Sequence, residues 1–327
     1  HQANQHIRQV VNDPLLSYRQ RRHNLAAAAE GLLSYPSVSN QTKELLEKRV
    51  ICDLFEGPAP YRPRYTLPDY ALALKNGSDY LELPPSQDLD EALSNLLILY
   101  HHAPSITGHP VFLGNIDELL EPYAEGVSDK ELFKKLRLFW RSVDRTFPDG
   151  FCHANIGPAC TRVGSAILSI ERELRQTAPN LTLKVDPAVT PDSMLLDAIQ
   201  TCLEVSKPHF ANHPRIASEL GADYGVVSCY NSLLVGGGAH TLVRLNLAET
   251  TANFNGSTTT FLSDVLPEYV ERTAEVMEAR IRYLVEEQQF FQHDFMAKEG
   301  LLRLERFSAM LGVFGLAELV DGRMKAE

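Results

Sequence analysis

No run of this 327-residue chain is apolar for long enough to form a transmembrane helix. The run His1–Ile7 is polar and has no secretory h-region. A long basic run is missing too. The formal net charge is −11, which argues against nucleic acid as the main partner. The five cysteines, Cys52, Cys152, Cys160, Cys202 and Cys229, are too few and too odd in number for a disulfide framework. Free thiols fit a reducing cytoplasm, where the chain is expected. The common catalytic signatures are also lacking: there is no G-x-G-x-x-G, P-loop, H-E-x-x-H or G-x-S-x-G. No pair of C-x-x-C units occurs, so a structural zinc is not expected. Cys152-His153 with Cys160, or His209 with His213, are the remaining metal candidates. Pro208 and Pro214 spoil helical spacing for the second pair, and no metal site is assigned.

What is present is an ordinary globular composition, 44% hydrophobic and 22% charged, in a chain long enough for one large core or two domains. Helix is expected over 1–33 with a break near Asp13-Pro14, then over 40–50. Four prolines between 56 and 68 predict an extended, ordered connector. Further helices are read at 88–101, 115–123, 128–146, 162–176 and 191–205. Ser128 and Glu131 form a capping-box pattern, and Trp140 lies on an apolar face with Leu136, Phe139 and Val143. Strands are read at 111–113, 151–156, 181–185 and 224–228. This alternation predicts an α/β sheet or barrel. After 258 the chain reads as helix, over 260–292 and 303–319.

The most informative stretch is Asp223-Tyr224-Gly225-Val226-Val227-Ser228-Cys229-Tyr230-Asn231-Ser232-Leu233, closed by Gly236-Gly237-Gly238 and a second strand over 241–247. It reads as strand–loop–strand with a cysteine at the loop. A buried cysteine is the plain reading of Cys229. A cysteine hydrolase with His153 or His240 as base is an alternative, but its nucleophile is usually set at a helix N-terminus, which the glycine-rich sequel does not resemble. Strand alternation places His153 and Asn155 on one face. The glycines are expected to let the chain turn tightly near a ligand.

The run from Gly225 to Leu247 resembles the cysteine loop of glycyl radical enzymes, the family of pyruvate formate-lyase and the anaerobic ribonucleotide reductases. Three further stretches are similar to the same family in the same order: Pro110–Tyr123, Pro179–Leu183 and Phe314–Glu318. With Cys152–Pro158 and Val227–Ser232 added, the chain resembles the YjjI-type branch, from about residue 50 to the end. The resemblance implies part of a ten-stranded α/β barrel, its first half with the cysteine loop, surrounded by helices. It divides the chain into a helical region 1–109, a half-barrel 110–257 with its loop at 225–240, and a helical segment 258–327.

By the same resemblance Cys229 is the catalytic thiyl residue, and His153, Asn155 and Asn231 are candidates for orienting a small-molecule substrate. The cofactor implied is an organic glycyl radical, installed by a radical-SAM iron–sulfur activating enzyme under anaerobic conditions. A homodimer or other self-association is expected, with no membrane partner. The family's glycine motif, similar to Arg-Val-x-Gly-Tyr, is absent from these 327 residues. This chain alone is therefore expected to be inactive. The rival reading is a non-catalytic interaction or regulatory fragment that keeps the fold.

Overall fold

The computed structural model describes residues 2–53, 57–105, 112–146, 152–227, 231–252, 254 and 256–324. The chain forms two compact units. One comprises His1–Arg62, His240–Gln289 and Ala309–Glu327; the other comprises Pro63–Ala239 and Phe290–Ser308. Its strands, in chain order, are β1 (Ile51–Asp53), β2 (Tyr65–Leu67), β3 (Phe112–Asn115), β4 (His153–Ile156), β5 (Asn180–Val185), β6 (His209–Asn212), β7 (Tyr224–Val227), β8 (Asn231–Leu234), β9 (Gly237–Asn246) and β10 (Phe307–Phe314).

In the larger unit β3, β4, β5 and β6 form a parallel sheet in that order. Parallel neighbours need crossovers of a dozen or more residues. The helices Asp129–Thr146, Arg162–Leu174 and Asp192–Val205 supply them. Their starts are set by local chemistry. Thr161 Oγ1 accepts the Gly164 N–H at 2.9 Å, and Ser128 Oγ accepts that of Glu131 at 3.3 Å. Leu136, Phe139, Trp140 and Val143 are all buried, as their spacing predicts. Alternation along the strands puts Ala154, Ile156, Leu181 and Leu183, all buried, on one face. The opposite face is polar: His153, Asn155, Asn180, Thr182, Lys184 and His209.

Behind the sheet, Glu171 and Lys207 make a buried ion pair of 2.8 Å. Trp140 Nε1 donates to the other oxygen of Glu171 at 2.8 Å, and Lys207 Nζ also donates to Pro179 O at 2.8 Å.

The segment β7–β8 is a separate two-stranded antiparallel ribbon, with Tyr224 opposite Leu234 and Val227 opposite Asn231. The expected pairing is corrected here. The cysteine segment returns through β8, not through a strand at 241–247. Of the glycine triplet only Gly236 turns the chain, with φ +74° between β8 and β9, whereas Gly237 and Gly238 are the first residues of β9 and pair with Leu67 and Thr66. They are there because backbone passes close by. A Cβ on Gly237 would overlap Arg306 O, and one on Gly238 would overlap Tyr65 O. Gly237→Ala or Gly238→Ala is expected to destabilise the chain by about 3 kcal/mol, the upper end of overpacking costs. A urea midpoint equal to that of the unsubstituted protein would contradict this.

In the smaller unit β1 pairs antiparallel with the end of β9, Ile51 opposite Leu245, and β10 is the next neighbour of β9. Ile51, Val243 and Val276 pack together, as do Val50, Leu245, Leu247, Phe261 and Leu319. The segment 303–319, expected as one helix, holds β10 followed by the helix Leu316–Met324. Ala309-Met310-Leu311 suits a helix, and pairing with β9 overrides that local preference.

Candidate functional site

The polar face of the parallel sheet carries the β7–β8 ribbon. Asp223 lines a cavity of about 330 Å³ together with Glu118, which follows β3. Tyr224 O accepts from Asn115 Nδ2 at 3.3 Å, and a Cβ on Gly225 would meet the Phe112 ring. Successive residues of β7 thus meet successively earlier residues of β3, and β7 runs antiparallel to it. The far end of the ribbon, Val227 and Asn231, therefore points towards the N-terminal ends of the parallel strands. His153, Asn180 and His209 stand there as the first residues of β4, β5 and β6. The cavity lies at the opposite, open end, beside Asp223 and Val235; Tyr70, Tyr123 and Phe112 give it an apolar and aromatic lining.

Three side chains hold the ribbon. Asn155, fully buried, donates from Nδ2 to Val226 O at 3.0 Å and accepts the Val226 N–H on Oδ1 at 2.7 Å. Lys184 Nζ donates to Tyr224 O at 2.6 Å and lies 4.1 Å from the centre of that tyrosine's ring. Asn115 gives Tyr224 O its second donor. The Tyr224 hydroxyl reaches His213 Nδ1 at 3.1 Å. At the base, Arg306 bonds Asp223 Oδ2 at 2.6 Å and Val235 O at 2.5 Å.

Burial dominates the electrostatics. It lowers Lys184 to about 8, against the opposing pull of Glu118, Asp117 and Asp223. It raises the Tyr224 hydroxyl to about 12. It lowers His153 to about 4, with help from the nearby charge of His209, and lowers His240 to about 4. Both imidazoles are therefore neutral at pH 7 in the folded chain, whereas in the unfolded chain they titrate near the ordinary value of 6.5. A depressed folded pKa means that the unfolded chain binds more protons between pH 6.5 and 4, so stability falls on acidification through that window. Single His153→Gln or His240→Gln variants should show a shallower loss between those limits. Parallel urea-midpoint profiles for variants and unsubstituted protein would rule this out.

The residues singled out from sequence are distributed as follows. His153 is buried at the start of β4, and His209 shares its face. Asn155 has its amide engaged by the Val226 backbone. Asn231 opens β8 opposite Val227, half-buried. Cys229 lies outside the described residues, in the three-residue link between β7 and β8. Of the other cysteines, Cys152 is buried, Cys52 and Cys202 are half-buried and Cys160 is exposed. Among the described residues no cluster of three or more His, Cys, Asp or Glu side chains could hold a metal ion. No helix among them is long and apolar enough to cross a membrane. Lys184 and Asn115 hold the ribbon without standing out in the sequence. The alternation Asn180-x-Thr182-x-Lys184 was the available signal, since it repeats the pattern of His153-x-Asn155 one strand away.

The family profile described as "Glycyl radical enzyme YjjI-like" matches residues 16–327. The chain belongs to the YjjI-like glycyl radical enzyme family. The YjjI protein of Escherichia coli (strain K12) is 48% identical over 320 residues, covering 97% of this chain and 61% of that protein. A protein of Haemophilus influenzae (strain Rd) is 42% identical, covering 99% of this chain and 63% of its own length. This YjjI-like chain thus spans a little over three fifths of those relatives. Among solved structures, the anaerobic ribonucleotide reductase of Thermotoga maritima with citrate in the active site aligns with TM-score 0.65 at 13% identity, covering 98% of this chain and 63% of that one. The same enzyme in complex with dATP and CTP aligns with TM-score 0.66 at 12% identity, covering 98% and 58%. That likeness is one of fold: α/β, with parallel and antiparallel sheets and surrounding helices.

Proposed function

We propose that this chain carries the thiyl-forming part of a glycyl radical enzyme, with Cys229 as the residue that exchanges hydrogen atoms with a small organic substrate. The observation that carries the reading is the β7–β8 ribbon, anchored on the polar face of the parallel sheet within a chain of this family. The glycine is supplied from outside these 327 residues, and its radical serves as the acceptor of the thiol hydrogen atom. The Cys229 S–H bond breaks, a C–H bond forms on the glycine, and the unpaired electron moves to sulfur. The thiyl then takes a hydrogen atom from a substrate C–H bond, restoring S–H and leaving the electron on carbon.

Hydrogen-atom transfer demands close and rigid placement of the two atoms. The anchors described above supply that for the ribbon. His153, His209 and Asn180, on the face towards which the ribbon's far end points, are suited to hold polar groups of the substrate. Burial keeps His153 neutral, so its ring carries one donor nitrogen and one acceptor nitrogen at pH 7. Asn231, at the first position of β8, is the further candidate on the ribbon itself. The partners of this reading are a radical-SAM activating enzyme, the substrate and a second copy of the complete protein, in the cytoplasm. The first test is anaerobic activation of the complete protein by its radical-SAM partner. A glycyl signal in electron paramagnetic resonance supports the reading, and its absence after full reconstitution of the partner sinks it.

A further inference from the structure

A two-stranded ribbon is marginal by itself, and every buried backbone N–H and C=O needs a partner. In an antiparallel pair alternate residues bond across to the partner strand and the others direct their N–H and C=O away from it. The Val235 N–H donates to Asp223 O at 3.1 Å, which marks the odd-numbered residues of β7 as those bonded to β8. Tyr224 and Val226 are therefore the residues whose backbone groups face away. The residues that answer them come from three neighbouring strands. Asn155 of β4 takes both groups of Val226, as the backbone of a further strand would. Lys184 of β5 and Asn115 of β3 take both lone pairs of Tyr224 O. Asn155 and Lys184 are buried, with 0% and 2% exposure, so water does not stand in for them.

We propose that Asn115, Asn155 and Lys184 are positioning residues that act together as a surrogate strand, fixing the register of the β7–β8 ribbon on the sheet. A slip by one residue would present Gly225 or Val227, whose backbone groups β8 already uses. Slip is therefore possible only in steps of two, roughly 7 Å along a strand, and each such step breaks all three anchors. Asn155 is the centre of the device, since a primary amide offers donor and acceptor side by side and stays neutral at every pH. Lys184 matters as a donor reaching from the far strand. The role in catalysis rests on the thiyl reading given above. The register lock itself does not.

The test is amide hydrogen exchange on the 327-residue chain, in which neither a radical nor Cys229 takes part. Asn155→Leu should speed exchange at Val226 and along 224–227 and 231–234 at least tenfold. Amides of Asn180–Val185 should stay within twofold of the unsubstituted chain. Asn155→Asp adds a signature that loss of packing does not give. A protonated carboxyl offers one O–H and one acceptor oxygen and so replaces the amide, whereas the carboxylate is an acceptor only and repels Val226 O. Asn155 has no exposure, and burial raises the pKa of a carboxyl placed there, so after correction for intrinsic rates the ribbon should be better protected at pH 5.5 than at pH 8, while Asn155→Leu is open at both. Unchanged ribbon exchange in Asn155→Leu, or an Asp variant with no pH difference, overturns the proposal. If Asn155→Leu does not fold, Asn115→Leu at the half-buried anchor decides: ribbon-specific acceleration supports the lock, and uniform or absent acceleration overturns it. Loss of the thiyl role would appear separately, as turnover that survives without Cys229.

Discussion

Cys229→Ser in the complete protein is expected to abolish turnover and to leave the glycyl radical signal at its full height. The hydroxyl is close to the thiol in size, so the ribbon and its anchors are not disturbed. The difference lies in bond strength: O–H is much stronger than S–H, and a carbon-centred radical does not draw hydrogen from it at a useful rate. On the proposed reading the activating enzyme acts on the glycine and has no need of this thiol. A test without a known substrate is available. In deuterium oxide the Cys229 thiol carries deuterium, and reversible transfer would place it on the glycine carbon. The hydrogen splitting of the radical signal should therefore collapse in the unsubstituted protein and persist in the Ser variant. A nucleophilic cysteine would behave differently, with no radical, activity in air and a rate that follows thiolate formation. Collapse of the splitting in the Ser variant, or its catalysis at near the original rate, would make the thiyl assignment wrong.

Lys207→Met is expected to cost about 3–5 kcal/mol, because it leaves the Glu171 carboxylate buried without its cation. Total stability of a domain is only about 5–15 kcal/mol, so a large share is lost. Glu171 has no exposure, and its remaining partner would be the Trp140 indole. Burial already raises the Glu171 pKa, and Lys207 opposes that rise. Removing the lysine lifts the pKa further. A raised folded pKa in an acid means that the folded chain binds more protons, so stability falls as pH rises through the interval between unfolded and folded values. The variant should thus be closer to the unsubstituted protein at pH 5 than at pH 8. The double variant Glu171→Leu with Lys207→Met should recover most of the loss, since a well-packed apolar pair avoids both desolvation costs. Urea midpoints at the two pH values measure all of this. A single variant with an unchanged midpoint at pH 8 would show that the pair contributes nothing.

The parallel sheet was legible because its strands are apolar on the helix side and its helices carry caps. Val163, Ile167 and Ile170 announce the helix after Thr161, and Leu181 and Leu183 announce β5. Elements built by tertiary contact were not legible. β8 begins Asn231-Ser232 and has no apolar alternation, so its pairing with β7 left no trace in composition. β6 sits between Pro208 and Pro214, and no element was read there, because a four-residue strand between two prolines carries too little periodicity. The glycines at 236–238 read as a loop because close backbone approach and tight turning select the same residue. His153 and Asn155 stood out through their spacing. Lys184 did not, because a lone lysine at a strand end reads as solvated, and only the fold shows its ammonium on the Tyr224 carbonyl.

The interleaving of the two units has a consequence during synthesis on the ribosome. Ile51 waits for Leu245 and Val243, and the Ser39 backbone waits for the Glu275 carboxylate, which accepts its N–H at 2.5 Å. About 190 residues separate Ile51 from its partner strand, so at about 5–20 residues per second the first apolar segment stays unsatisfied for roughly 10–40 s. The segment Pro63–Ala239, by contrast, can begin to collapse as it emerges, because its sheet pairs consecutive strands. The growing chain therefore carries β1 unpaired while the parallel sheet condenses. Shielding that strand by chaperones, or slowing synthesis by cold induction, should raise soluble yield more than any change within the parallel sheet.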